Sequence, residues 1–202
     1  MGVRTADRAT ASQLPEKIGN LLDESRWLAL GAVALFLAMA FWGFSKEDPG
    51  WSHAVVSGNL HNPTGHAGAW IADLMLYLFG FSAWWWIVLL VMFMWWGFRR
   101  LNSPLGHADS RPLYLALSGF GVLLVASSAL EALRFYSLKV ELPLAPGGLL
   151  GIEAGRLLEH LLGYTGSTLV LLAAMAAGWS IFSGMSWLWA FERLGEFLEA
   201  FG

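Results

Sequence analysis

Three histidines, His53, His61 and His66, share one stretch of chain with two carboxylates, Asp48 and Asp73. Imidazole nitrogens and carboxylate oxygens are the donors of a zinc centre, so metal binding is the first chemistry to weigh. The histidines lack the i, i+4 spacing that sets two ligands on one helical face, and they read instead as solvated or interfacial side chains. Ser52, His53 and Asp48 carry the groups of a nucleophilic triad, but they lie too close along the chain to form a relay by themselves. No catalytic, cofactor-binding or metal-ligating set is therefore assigned. Asp73 matters for another reason. It stands just before a long apolar run, where a carboxylate is costly unless it is wetted, paired or bonded to backbone amides. Glu131, close to Arg134, is the other acid of this kind, and two such groups do not make a proton path. Asp73 is expected to be a structural tie from its own helix to the segment Asp48 to Ser52, or to the end of another helix.

The elements that must position these groups follow from composition. The chain has 202 residues, of which 56% are hydrophobic and 13% charged, with a net charge of -3; its mean hydropathy is +0.55. Soluble domains carry about a quarter charged residues, so this is a polytopic membrane protein. A near-neutral charge without a clustered basic face excludes a nucleic-acid surface. The absence of cysteine excludes disulfides and thiolate metal sites.

Four apolar runs can span a bilayer: Trp27 to Phe44, Phe81 to Phe98, Leu113 to Leu133 and Thr165 to Phe182. Residues 1–26 form a polar N-terminal segment, expected to be disordered at first and then a short surface helix after Pro15. Ala38 and Ala40 imitate a signal-peptidase site, yet the polar lead is long and the apolar run continues through Trp42, which favours an uncleaved anchor. A helix from Ile71 to Phe98 would be roughly 42 Å long, well beyond the ~30 Å of hydrocarbon, so the second span is expected to start near Phe81. Trp84, Trp85, Trp86, Trp95 and Trp96 are expected to bracket that span at the two interfaces. Ala116, Gly119, Ser127 and Ser128 in the third run, and Ala173, Ala174, Ala177 and Gly178 in the fourth, permit close helix approach.

Two stretches ahead of spans resemble each other: NPTGHAGAWIADLMLYLFG, ending at Gly80, and APGGLLGIEAGRLLEHLLG, ending at Gly163. Each has a Gly/Pro turn, a carboxylate-bearing stretch and a closing glycine. In the second, Leu150, Ala154, Leu157, Leu158 and Leu161 share one helical face while Glu153, Arg156 and His160 share another, the pattern of a surface helix. The fold class is thus an all-α integral membrane domain, with four transmembrane helices and amphipathic surface helices before the second and fourth spans. The membrane domain covers 27–186, with periplasmic loops at 45–80 and 134–164, and an amphipathic cytoplasmic segment at 187–202 begins a linker. With the N-terminus, the loop Arg99 to Pro112 and the C-terminus inside, about eight of the Lys and Arg residues lie inside and about four outside, as the positive-inside rule prefers. Both termini are then cytoplasmic.

These blocks resemble the N-terminal four-helix membrane domain of the FtsK/SpoIIIE DNA translocase family. A DPSW-like motif after the first span is matched by Asp48, Pro49, Trp51 and Ser52, and an N..G..GA..AD..F..FG pattern by Asn62, Gly65, Gly68, Ala69, Ala72, Asp73, Leu76, Phe79 and Gly80. A GG..G block is matched by Gly147, Gly148 and Gly151. The signature after the fourth span is matched by Gly184, Ser186 and Trp187, with Ser183 in place of the usual Thr. The resemblance covers roughly Leu28 to Leu194. It implies the septal inner-membrane anchor of a DNA pump, with these residues as structural or partner-contact positions. It also implies contacts with lipids and other division proteins, and a homo-oligomer, a hexamer as in the family. ATP, Mg and DNA would be engaged only by an absent motor domain. The sequence has no G-x-x-x-x-G-K-[ST] loop, and it ends inside or just after an amphipathic helix, as a truncated chain would. A small polytopic transporter or permease-like subunit is the alternative function. It would require polar groups facing a mid-bilayer cavity, and the four runs are almost free of them.

Overall fold

A chain this apolar folds by exhausting its backbone hydrogen bonds within helices, because lipid offers no partner for a free N–H or C=O. The computed structural model describes residues 6–54, 60–101, 113–135 and 141–187, together with positions 192, 193, 195, 196 and 199. Its helices are α1 (Ala6–Trp42), α2 (Gly65–Phe79), α3 (Trp85–Leu101), α4 (Leu113–Arg134) and α5 (Gly148–Ser183), with a 3-10 turn at Gly80–Trp84 between α2 and α3. Four segments are long and apolar enough to cross a membrane: Glu24–Trp42, Gly65–Gly97, Leu113–Arg134 and Gly148–Ser183. Of the expected loop Arg99 to Pro112, the first three residues belong to α3; residues 102–112 and most of 187–202 fall outside the described residues.

The N-terminal segment differs from expectation. Instead of an unstructured lead and a separate helix after Pro15, one helix runs from Ala6 into the first span. Proline deletes a single N–H donor, and the Ala-, Glu- and Leu-rich residues on either side keep helical geometry.

Both places where a span was expected to begin are glycine breaks. Gly80 has φ 61° and ψ -140°, and Gly163 has φ 67° and ψ 172°. No side chain adopts these angles without strain, so the chain turns a corner at each. Before Gly163, Ala154 and Leu158 pack on the cluster of Ala126, Ala129, Leu133 and Leu171; after it, Ala174 joins the same cluster. In a straight helix Ala154 and Ala174 would be roughly 30 Å apart. The two halves of α5 therefore fold toward one short stretch of α4.

The leucine face of the first half of α5 is divided: Ala154 and Leu158 pack on α4, and the rest of the inward contact is made by glycines. Gly148, Gly151 and Gly155 are buried, whereas Leu157 and Leu161 are 62% and 65% exposed. Glycine lets the two backbones approach, and the leucines are left for the apolar surroundings.

The tryptophans take part in helix packing. Trp85, Trp86 and Trp96 pack against a core of Leu89, Phe120, Leu123, Leu124 and Phe182. Trp86 lies edge-on to Phe120 at 5.2 Å, Trp96 meets Phe182 at 6.0 Å, and Trp85 meets Trp179 at 5.6 Å. Trp84 packs on Phe41 of α1 at 5.8 Å. These rings fill the space between α3, α4 and α5, and of the five only Trp95 is largely exposed.

Close contact between α4 and α5 continues along their length. A Cβ placed on Gly178 would lie 2.7 Å from Leu123 N and 3.0 Å from Gly119 O, both backbone atoms. Gly178→Leu is expected to lower stability in detergent by about 1–3 kcal/mol, the cost of overpacking. Gly121→Ala, where a Cβ meets nothing within 4 Å, should be neutral or slightly stabilising. Equilibrium unfolding of both variants checks the pair.

Candidate functional site

The motif residues gather in three places. The first is the loop that follows α1. Asp48, 2% exposed, accepts backbone hydrogen bonds from His61 N (2.7 Å) and Asn62 N (2.8 Å). Asn62 then joins three elements. Its amide nitrogen donates to Ala40 O in the last turns of α1 at 2.9 Å, and its Oδ1 accepts from Thr64 N at 3.0 Å and Thr64 Oγ1 at 2.6 Å. This Asx-type arrangement turns the chain into α2. The Thr64 side chain lies over Gly68, where any side chain would collide with it.

Asp73, in the middle of α2, is 1% exposed. Its carboxylate accepts from Ser52 N at 2.5 Å and from Ser52 Oγ at 3.0 Å. A Cβ on Gly50 would strike that carboxylate, so the sequence Asp48-Pro49-Gly50-Trp51-Ser52 wraps directly over it. Pro49 is half-buried, and the half-exposed Trp51 ring packs edge-on against Tyr77 at 5.3 Å.

Ser52, His53 and Asp73 meet, but not as a nucleophile relay. Ser52 Oγ and Asp73 Oδ1 both sit on the Nδ1 side of His53, at 3.0 and 3.7 Å. His53 Nε2 faces Lys46 O at 2.9 Å. A triad needs the serine on one ring nitrogen and the carboxylate on the other. Here the imidazole braces the loop. His61 Nδ1 lies 3.3 Å from Asp48 and its Nε2 3.7 Å from Glu47, while His66 is exposed on α2. The histidines thus divide between different carboxylates, and among the described residues no three His, Asp or Glu groups converge as metal ligands.

The second place is the crossing of the two glycine blocks. Gly80 packs against the backbone of Gly147 and Gly148, and Gly148 and Gly151 pack against Leu78 and Ser128 in turn. Ser82 Oγ lies 2.5 Å from Glu131 Oε1 and 2.7 Å from Ser127 Oγ, Gly147 N donates to Glu131 Oε2 at 3.0 Å, and Ser128 Oγ donates to Phe79 O at 3.3 Å. Sequence reasoning missed Ser82 and this use of Glu131. Arg134, the expected neighbour of Glu131, instead donates to Thr168 Oγ1 from Nε at 3.0 Å and Nη2 at 2.8 Å, and lies 4.1 Å above the Tyr164 ring. The visible signal was a set of serines inside apolar runs.

The third place is the end of α5, away from the other two in sequence. Gly184, with φ 76°, caps the helix through a bond from its N–H to Ser180 O at 2.9 Å. Ser186 is exposed, and the Trp187 indole donates back to Ala176 O at 3.0 Å. Gly65, with φ 75°, begins α2 near the first cluster.

Residues 19–195 match the family described as the 4TM region of DNA translocase FtsK/SpoIIIE. The chain is 41% identical over 196 residues to DNA translocase FtsK 2 of Ralstonia nicotianae, covering 95% of this chain and 25% of that protein. It is 32% identical over 163 residues to DNA translocase FtsK of Shewanella oneidensis (81% of this chain, 18% of that one). It is 31% identical over 193 residues to DNA translocase FtsK of Pseudomonas putida (93% and 23%). The chain spans about a quarter or less of the length of these relatives. No solved structure matches it.

The loop geometry makes Asp73 and Ser52 a coupled pair. Asp73→Leu, which removes both acceptors, is expected to cost about 1–3 kcal/mol of stability in detergent, with Asp73→Asn in between because one acceptor remains. Ser52→Ala should cost less than Asp73→Leu in the natural chain and almost nothing once Asp73 is leucine. A double-mutant cycle by thermal or denaturant unfolding reads this directly.

Proposed function

Because the chain belongs to the four-transmembrane-region family of the FtsK/SpoIIIE DNA translocases, we propose that it is the membrane anchor and division-partner contact of a septal DNA translocase. It holds a cytoplasmic motor at the site where division and chromosome segregation meet. The observation that carries this reading is the use of the buried carboxylates. Asp48 and Asp73 are bonded to loop backbone, and Glu131 is bonded to Ser82 and Gly147. Acids committed to holding loops and helix ends together suit a rigid platform better than a conducting path, which needs acids open to a cavity.

Translocation itself is assigned to a motor beyond this segment, which would bind ATP and Mg and engage DNA. The matched relatives are named DNA translocases and are about four times as long as their aligned part or longer. The segment here contributes no catalysis. It contacts lipid, associates with copies of itself and offers the loops after α1 and α4 to other division proteins on the outer side. The positive-inside count supports cytoplasmic termini, and an inner-membrane location with septal enrichment follows from the proposed role.

A fluorescent fusion of residues 1–202 is expected to concentrate at midcell in dividing cells. A signal spread evenly around the membrane would overturn the septal part of the reading. Reporter fusions at Gly2 and at Gly202 should both report the cytoplasm. Opposite sides would remove the proposed orientation of the motor.

A further inference from the structure

The two glycine blocks place positive-φ glycines in the same register, although the residue before the helix differs: Thr64 has φ -94° and ψ 11° where Gly147 has φ 81° and ψ -10°. Aligned without gaps, Gly65 falls on Gly148, Gly68 on Gly151 and Gly80 on Gly163. Gly65 and Gly148 both start a helix at positive φ (75° and 59°), and Gly80 and Gly163 both end one at positive φ (61° and 67°). Each block therefore has a helix start and an elbow.

Among the described residues, one elbow and one helix start are occupied. The Gly80 elbow sits on the start of the second block: a Cβ on Gly80 would meet the backbone of Gly147 and Gly148, and a Cβ on Gly148 would meet Leu78 and Gly80. The equivalent surfaces are open. A Cβ on Gly163 or on Gly65 meets no atom within 4 Å. Around the occupied elbow, Leu78, Phe79 and Phe81 are half-buried and Ser82 is buried; around the open one, their counterparts Leu161, Leu162, Tyr164 and Thr165 are all exposed. On the receiving side Gly147 and Gly148 are buried, whereas Thr64 and Gly65 are only half-buried and His66 is exposed.

We propose that the open Gly163 elbow of one copy of this chain docks on the helix start at Thr64 and Gly65 of the next copy, repeating between chains the contact that Gly80 makes with Gly147 and Gly148 within one. The occupant is a second copy because the two open surfaces are the complementary halves of an interface that this sequence already forms. Thr64 in place of Gly147 is the main departure at the contact, and its side chain is folded back over Gly68 and bonded to Asn62. Backbone-to-backbone approach of small residues is how helices associate when lipid removes the hydrophobic drive. The contact is head-to-tail, so it closes into a ring or runs on as a chain, according to the rotation between copies.

This deepens the self-association in the function proposed above and can fail independently of it. The protein has no cysteine, so thiols can be placed singly. Leu161→Cys and His66→Cys lie at exposed positions beside the two open surfaces, and unchanged melting in detergent verifies the fold of each. In membranes, differently tagged copies carrying one substitution each are expected to give mixed dimers with a short bis-maleimide, about tenfold or more above dimers of either variant alone. The double variant should give a ladder of higher species, the signature of a heterologous contact. Equal crosslinking of Leu161→Cys with itself would mean a face-to-face contact and overturn the proposal. So would the absence of mixed dimers, which would leave lipid as the cover of the elbow. Midcell recruitment bears on the anchor reading alone.

Discussion

A carboxylate taken out of water must find its hydrogen bonds in the protein, and that requirement shapes the described residues of the loop between α1 and α2 and the start of α5. An isolated buried charge costs several kcal/mol even after the surroundings relax. Asp73 meets the requirement by drawing Ser52 onto α2, and Asp48 meets it by drawing His61 and Asn62 back toward the end of α1. The loop between α1 and α2 is thereby stitched at both ends, with Asn62 bonding onward to Ala40. Gly50 is small for the same reason, since a side chain there would occupy the space of the Asp73 carboxylate. The described residues on both sides of this loop, which composition alone would leave loose, are thereby tied to α1 and α2.

The second repeat solves the related problem at a helix start. The first N–H groups of a helix have no partner within it. Glu131, projecting from α4, accepts from Gly147 N and from Ser82, which couples the start of α5 to the 3-10 turn after Gly80. One side chain thus joins three elements, and it can do so only because Gly80, Gly147 and Gly148 let the backbones approach. The polar bonds and the glycines are two halves of one device, since either would be of little use without the other.

Much of this was legible in residue types. Four apolar runs predict four spanning helices, and the glycines that end the two similar blocks are the places where the chain breaks its helix. Asp73 marks itself as a tie because a carboxylate beside an apolar run has few other fates. What could not be read concerns direction around a helix in a nonaqueous setting. Periodicity marks Leu150, Ala154, Leu157, Leu158 and Leu161 as one apolar face of a surface helix, but it does not say which residues meet the bundle. With lipid outside, Leu157 and Leu161 gain nothing by turning inward, and glycine, which brings backbones together, occupies the interface. The packing of Trp85, Trp86 and Trp96 between helices was not legible either, because their ring partners lie far along the chain. Ser82 went unseen, and Ser127 was read only as a small packing residue, because a serine in an apolar run is common and its partner lies far along the chain.

The distribution of rigidity also bears on what the fold can do. Large aromatic rings between α3, α4 and α5, at centroid distances of 5.2 to 6.0 Å for Trp86, Phe120, Phe182 and Trp96, resist sliding because each is locked by its neighbours. Three buried hydroxyls in the spans are bonded to nearby backbone: Ser127 Oγ reaches Leu124 O, Ser167 Oγ reaches Gly163 O and Thr168 Oγ1 reaches Tyr164 O. A transporter needs a polar cavity whose walls move between two arrangements. An anchor needs the reverse, a bundle with its polar groups satisfied internally, so that a pull on its cytoplasmic side is carried to whatever holds its far side. Clamped loops, interlocked rings and elbows set by glycine φ angles suit the proposed anchor better than a moving solute path.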